Sequence, residues 1–113
     1  MKRYRTEPDS CAAGETTVYA TVERVAADVQ VVVVLGRPAE RPPLRAEQVG
    51  AVLRADGVVL TLVERPERLL PEFGGSLGTS SNARFCFTGA GEPTALEVTL
   101  DGASCSFRLV PEP

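Results

Sequence analysis

Residues 95–108, with the sequence ALEVTLDGASCSFR, decide the fold. An Asp-Gly pair between two segments of alternating polarity is the strongest short-range signal of a two-residue β-hairpin turn. With Asp101 and Gly102 at the turn, the apolar face pairs Leu100 with Ala103, Val98 with Cys105, and Leu96 with Phe107. The opposite face pairs Thr99 with Ser104, Glu97 with Ser106, and Ala95 with Arg108. A shift of one residue would turn Phe107 towards water, so this register is well specified.

A second Asp-Gly pair, Asp56 and Gly57, predicts another hairpin upstream. Its register would oppose Leu53 to Leu60, Ala51 to Leu62, and Val52 to Thr61. The alternative is a short helix over residues 45–55, because Ala, Glu, Gln, Leu and Arg favour helices and Gly57 would end one. The sequence leaves both interpretations open.

Further strands are predicted on both sides of these hairpins. Residues 16–25 alternate in polarity, and residues 28–36, DVQVVVVLG, begin with alternation and end apolar on both sides. This second segment is therefore expected to be a central strand, covered on both faces at its end. The proline-bearing stretches at 36–45 and 65–83 are expected to be loops or edges, since proline cannot donate to a central ladder.

The pattern as a whole predicts an all-β protein. About seven short strands with regularly spaced turns favour an immunoglobulin-like antiparallel β-sandwich. The alternatives are a small closed β-barrel, or an α+β fold if residues 45–55 are helical. We expect residues 1–13 to form a flexible N-terminal tail and residues 14–111 to form a single sandwich domain.

The side-chain directions and the pairing of the cysteines are predicted from strand geometry. In residues 84–88, RFCFT, Phe85 and Phe87 share the core face, so Cys86 points to the outer face. Cys105 points inward with Phe107 and is expected to be a free core thiol. A disulfide between Cys86 and Cys105 is disfavoured because their Cβ vectors diverge. Cys11 falls in the expected tail, and three cysteines without a CxxC pair fit a reducing compartment.

Composition excludes several classes of function. The 113 residues carry a net charge of −3, and the scattered basic residues give no electrostatic footprint for nucleic acid. The longest apolar run is too short to span a bilayer. Residues 1–14 have no apolar stretch that would form a signal peptide or anchor, so a cytoplasmic location is expected. A secreted domain is the alternative if an upstream signal was removed.

No catalytic, cofactor or metal site is predicted. The chain has no histidine, which removes the usual base for a thiol or hydroxyl nucleophile. Residues 74–78, GGSLG, match the G-x-S-x-G pattern of a hydrolase elbow, but the flanking strand, the flanking helix and the histidine base are all missing. Paired cysteines and dense carboxylates are missing too, so no zinc or calcium site and no other cofactor is expected.

The most unusual local feature is RLLPEFGG, residues 68–75. Large apolar side chains in a predicted loop mark a candidate docking surface, and we predict that Leu69, Leu70 and Phe73 bind a partner. The purely structural interpretation, which the sequence leaves open, is that these side chains fold back as a plug over the open end of the sandwich.

Two functions follow from these features. The favoured one is a non-enzymatic protein-interaction or accessory module that binds another protein, or a second copy, through residues 66–82 or a sheet edge. The alternative is a small all-β ligand-binding protein, or a cyclase or isomerase acting by the shape of an apolar pocket. In that case Tyr19, Glu64 or Glu97 would supply polar contacts.

Overall fold

A computed structural model of the chain describes residues 1–38, 40–42, 44–72 and 78–113. These residues are all-β, and their only helical element is a 3-10 turn at Ala46–Gln48. The strands are β1 (Lys2–Glu7), β2 (Cys11–Ala13), β3 (Thr16–Val25), β4 (Asp28–Pro38), β5 (Gly50–Ala55), β6 (Val58–Val59), β7 (Thr61–Glu64), β8 (Leu70–Glu72), β9 (Gly78–Thr88), β10 (Ala95–Leu100) and β11 (Ala103–Pro111).

All the strands belong to one antiparallel sheet, which is barrel-like. The strand order is β6-β5-β10-β11-β1-β3-β4-β9-β7, with β2 beside β3 and β8 beside β9. The strands at the two ends of this order, β6 and β7, are consecutive in the chain and separated only by Leu60. The sheet therefore curls until its ends meet, which fits the small closed barrel and does not confirm the sandwich.

The hairpin of residues 95–108 has the predicted register. All six expected pairs form between β10 and β11, from Leu100 with Ala103 to Ala95 with Arg108. Cys105, Phe107 and Leu109 are buried on the core face. Phe85 and Phe87 are buried as predicted, while Arg84 is exposed and Cys86 is half-buried. Alternation alone was sufficient to predict which of these side chains are buried, because each lies in a strand with one strongly apolar face.

The second hairpin is confirmed only near its turn. Asp56 and Gly57 have φ values of 50° and 83°, the pair of positive φ angles that a type I′ turn requires. Arg54 pairs with Val59, and the N–H of Leu60 donates to the carbonyl of Leu53 at 2.8 Å.

Beyond Leu60 the chain leaves β5 and joins the other end of the sheet. Thr61 pairs with Thr88 and Leu62 with Phe87, so the predicted pairs Val52–Thr61 and Ala51–Leu62 are wrong. The helix alternative for residues 45–55 is also wrong, because β5 pairs with β10 from Gly50 to Arg54. Pairing with β10 satisfies the backbone hydrogen-bonding groups of β5. This stabilisation exceeds the weak intrinsic preference of these residues for a helix.

Residues 1–13 contain two strands where a flexible tail was expected. β1 lies between β11 and β3, with Thr6 opposite Leu109 and Tyr4 opposite Val22. Tyr4 and Thr6 are buried while their charged neighbours face outward. Without β1, both β3 and β11 would expose unpaired edges.

Part of the predicted loop at 65–83 is strand, since β8 covers Leu70–Glu72 and β9 begins at Gly78. β9 pairs with β4 along its whole length, from Gly78 with Pro38 to Thr88 with Asp28. The polar residues that suggested a loop extend β9. β4 is central, as predicted, but its second face is only partly covered, since Val32 and Val34 are half-buried.

A disulfide joins Cys11 to Cys105, with a Cα–Cα distance of 5.9 Å and a sequence separation of 94. The prediction that Cys105 is a free core thiol is therefore wrong. The physical reason is the strand pairing of β2: Cys11 lies opposite Val18 on β3 and packs against the core, where Cys105 also points. Cys86 is free and does not pair with Cys105, as expected.

Candidate functional site

The most unusual surface of the protein is the segment that closes the barrel, residues 58–64, which we call the seam. Its run VVLTLV is apolar apart from Thr61, which is close to the pattern of a strand that is buried on both faces. In the structure only Leu60 of this run is buried. The exposed apolar side chains are Val58 (66%), Val59 (57%), Leu62 (42%) and Val63 (58%).

The seam is also poorly paired through its backbone. β6 pairs only with β5 and β7 only with β9, so among the described residues no strand lies against the second edge of either. The register shifts between Leu62 and Glu64, which marks a bulge in β7. Natural edge strands usually carry charges that discourage pairing, but this edge carries only Glu64.

A side chain ties the seam to the other end of the sheet. The Nη2 atom of Arg65 donates to the carbonyls of Ala46 and Val49, both at 3.1 Å. Arg65 follows β7, and both acceptors precede β5. The guanidinium therefore links the end of β7 to the segment just before β5. In the described residues no strand pairing joins these two segments.

A groove of about 330 Å³ begins where the seam ends, and we call it the arginine groove. On this side β9 pairs with β7 at residues 86–88 and with β8 at residues 80–82, which leaves residues 83–85 without a described strand partner. The groove is lined by Glu64, Arg65, Pro66, Glu67, Arg68, Leu70, Asn82 and Arg84.

The arginine groove differs in charge from the rest of the chain. Its three arginines and two glutamates give a net charge of +1, whereas the whole chain carries −3. The ion pairs among the described residues use other basic side chains, namely Lys2, Arg3, Arg5, Arg41, Arg45 and Arg108. Arg68 and Arg84 thus present exposed guanidinium groups without a carboxylate partner in the part of the chain described.

The predicted partner-binding residues separate in the structure. Leu70 is 40% exposed and lines the arginine groove, whereas Leu69 is half-buried against the core, as the plug alternative expects. Phe73 lies outside the described residues. The partner-binding role of all three stays a prediction. The seam was not predicted from sequence, although its signal was present: an apolar run, interrupted only by Thr61, directly after a hairpin turn.

Cys86 lies beside a smaller groove of about 250 Å³ that also contains Glu64 and Arg84. Burial raises the pKa of the Cys86 thiol, and the nearby carboxylates of Asp28 and Glu64 raise it further. A raised pKa disfavours the nucleophilic thiolate, and the chain has no histidine to act as its base. Cys86 is therefore poorly suited to nucleophilic catalysis.

Fold and seam together define a small all-β protein with a barrel-like sheet and an exposed apolar closing segment. Neither a protein-family model, nor a curated protein, nor a solved structure matches the chain. The described residues contain no helix long and apolar enough to cross a membrane.

Proposed function

We propose that the protein is a non-enzymatic interaction module that binds a partner protein through the seam. The observation that carries the proposal is the apolar run of residues 58–63, which has the pattern of a strand buried on both faces but is exposed. Fully burying one Val or Leu side chain contributes roughly 1.5–3 kcal/mol. Covering four such partly exposed side chains is therefore a substantial driving force for association.

The backbone of the seam supports the same proposal. An extended partner segment that pairs with the second edge of β7 would satisfy its backbone groups and cover Leu62 and Val63 at once. The bound strand would add to the sheet at the point where the ends of the sheet meet. Five of the eight side chains that line the arginine groove are charged, which fits an apolar metabolite poorly.

The cysteine pairing bears on where the module works. The expectation of a cytoplasmic location rested in part on the assumption that the three cysteines are unpaired. In the structure, however, Cys11 and Cys105 are joined. Because structural disulfides persist in oxidising compartments, we propose that the protein works in such a setting.

The test is a charge introduced on the seam. We expect Val58→Glu together with Val63→Glu to weaken partner binding about tenfold or more, because each change places a charge in an apolar contact. Both side chains are exposed, so the fold should persist. The measurement is calorimetric titration of the partner, purified after capture on the immobilised chain from its native host.

The matched control introduces the same charges elsewhere. Tyr19 and Val25 are 47% and 42% exposed on β3, away from the seam. Tyr19→Glu together with Val25→Glu should leave the affinity unchanged. Equal affinity of wild type, seam variant and control would refute the proposal.

A further inference from the structure

We infer that the partner segment on the seam carries an acidic side chain, Asp or Glu, whose carboxylate binds in the arginine groove. This inference rests on the proposed function of the seam. It names the chemical class of the partner: an extended apolar segment with an acidic group beside it.

The seam and the arginine groove are continuous. Glu64 ends β7 and also lines the groove, so both surfaces share a residue. A strand advances about 3.3 Å per residue, which places Leu62 and Val63 within about 7 Å of Glu64 along the chain. A partner strand that covers these two side chains therefore reaches the groove within two or three residues.

The groove has the chemistry of a carboxylate site. Arg68 and Arg84 are exposed and form no ion pair in the described residues, so their guanidinium groups can each bind a carboxylate through two parallel hydrogen bonds. Leu70 supplies an apolar wall for the methylene groups of such a side chain. The volume of about 330 Å³ lies at the lower end of the range for ligand sites, a size suited to one side chain.

The two glutamates of the groove narrow the ligand class. Glu64 and Glu67 reduce the local charge to +1, which favours a singly charged carboxylate over a doubly charged phosphate. The net charge of +1 that remains disfavours a second copy of the chain as the occupant. A two-fold contact through this region would bring two arginine grooves of equal charge together.

The experiment selects binding peptides from a displayed library of random twelve-residue peptides on the full chain. With wild type, we expect enriched peptides to combine a Val, Ile or Leu run with an adjacent Asp or Glu. In the best peptide, changing that acidic residue to its amide should weaken binding about tenfold in fluorescence anisotropy. Added salt should shrink this difference, because the arginines are exposed.

Variants separate the groove from the seam. Arg68→Gln together with Arg84→Gln should abolish the preference for the acidic peptide over its amide form and keep the apolar contribution. Arg3→Gln together with Arg5→Gln removes the same charge from β1, which lies far from both ends of the strand order, and should keep the preference. Thermal unfolding of each variant checks that the fold is intact.

The outcomes distinguish the two proposals. Apolar peptides enriched on the seam without any acidic preference would overturn this inference and support the proposed function. A selection in which the Val58→Glu, Val63→Glu variant enriches the same peptides as wild type would overturn both. A dimer in sedimentation that the seam variant abolishes would identify a second copy as the occupant and overturn the inference.

Discussion

At the scale of single residues, Cys86 shows how far alternation predicts chemistry. Its position between Phe85 and Phe87 was sufficient to place it on the outer face. The approach of Asp28 and Glu64 was not predictable, because both come from strands that pair with β9 over long sequence distances. The direction of the side chain could be predicted from sequence, whereas its electrostatic environment depends on strand pairing across the fold.

The raised pKa of Cys86 predicts slow alkylation. Less thiolate is present at a given pH when the pKa is raised, so the reaction with iodoacetamide at pH 8 should be slower than that of glutathione. Raising the pH should speed it. Glu64→Gln removes one of the carboxylates that raise the pKa and should speed it modestly. Mass spectrometry without reductant follows a single modification, since Cys11 and Cys105 are joined. Alkylation faster than that of glutathione would contradict the assigned environment.

At the scale of elements, local pairing was predictable and distant pairing was not. The β10–β11 hairpin has both strands, the turn and the register in one continuous stretch, so its pattern contains all the information required. The strand β1 was missed because KRYRTE is short and mostly charged, and its partners are distant in sequence. Only Tyr4 and Thr6 hinted at the buried face.

The pairing of β1 with β11 predicts an acid-sensitive contact. Glu7 lies directly opposite Arg108, whose Nε donates to Oε1 of Glu7 at 3.0 Å. Hydrogen bonding and charge from Arg108 hold the pKa of Glu7 below its usual value of 4.5. A lowered pKa in the folded state means that the stabilisation is present above pH 4.5 and is lost as the pH falls through the folded-state pKa.

Glu7→Gln should therefore flatten the fall in melting temperature between pH 5 and pH 3. The effect should be slight because the pair is exposed. Thermal unfolding followed by circular dichroism across this range is the measurement. Glu23→Gln removes the carboxylate of another ion pair, that with Arg3, and is the control for the loss of one negative charge. A steeper acid transition in Glu7→Gln than in wild type would contradict the pairing.

At the scale of the whole molecule, closure of the sheet could not be predicted from sequence. Sandwich and barrel share the same short strands and turns, and differ in whether the last strand returns to the first. Here the closing step is the departure of the chain from β5 after Leu60, which no local pattern indicates. The candidate site depends on this step, because the seam consists of the two strands, β6 and β7, that form the ends of the sheet. Of the three side chains that sequence suggested for partner binding, Leu70 lines the arginine groove beside the seam.

The disulfide is the other feature that acts on the molecule as a whole. Cys11 and Cys105 are separated by 94 residues, so their bond restricts nearly the entire unfolded chain. In the chain-entropy model a loop of this size stabilises the folded state by up to about 4–5 kcal/mol. We therefore expect reductant, or Cys11→Ser, to lower the free energy of unfolding by roughly 2–4 kcal/mol.

Urea denaturation with and without reductant measures this loss directly as a shift of the midpoint. Cys86→Ser keeps the disulfide and should respond to reductant as wild type does, whereas Cys11→Ser should no longer respond at all. Cys105 is 2% exposed, and after reduction its thiol can pack in the core as a small apolar group. The barrel should therefore persist while becoming less stable. An unchanged midpoint in wild type on reduction would show that the two cysteines are not joined in solution, and would remove the argument for an oxidising compartment.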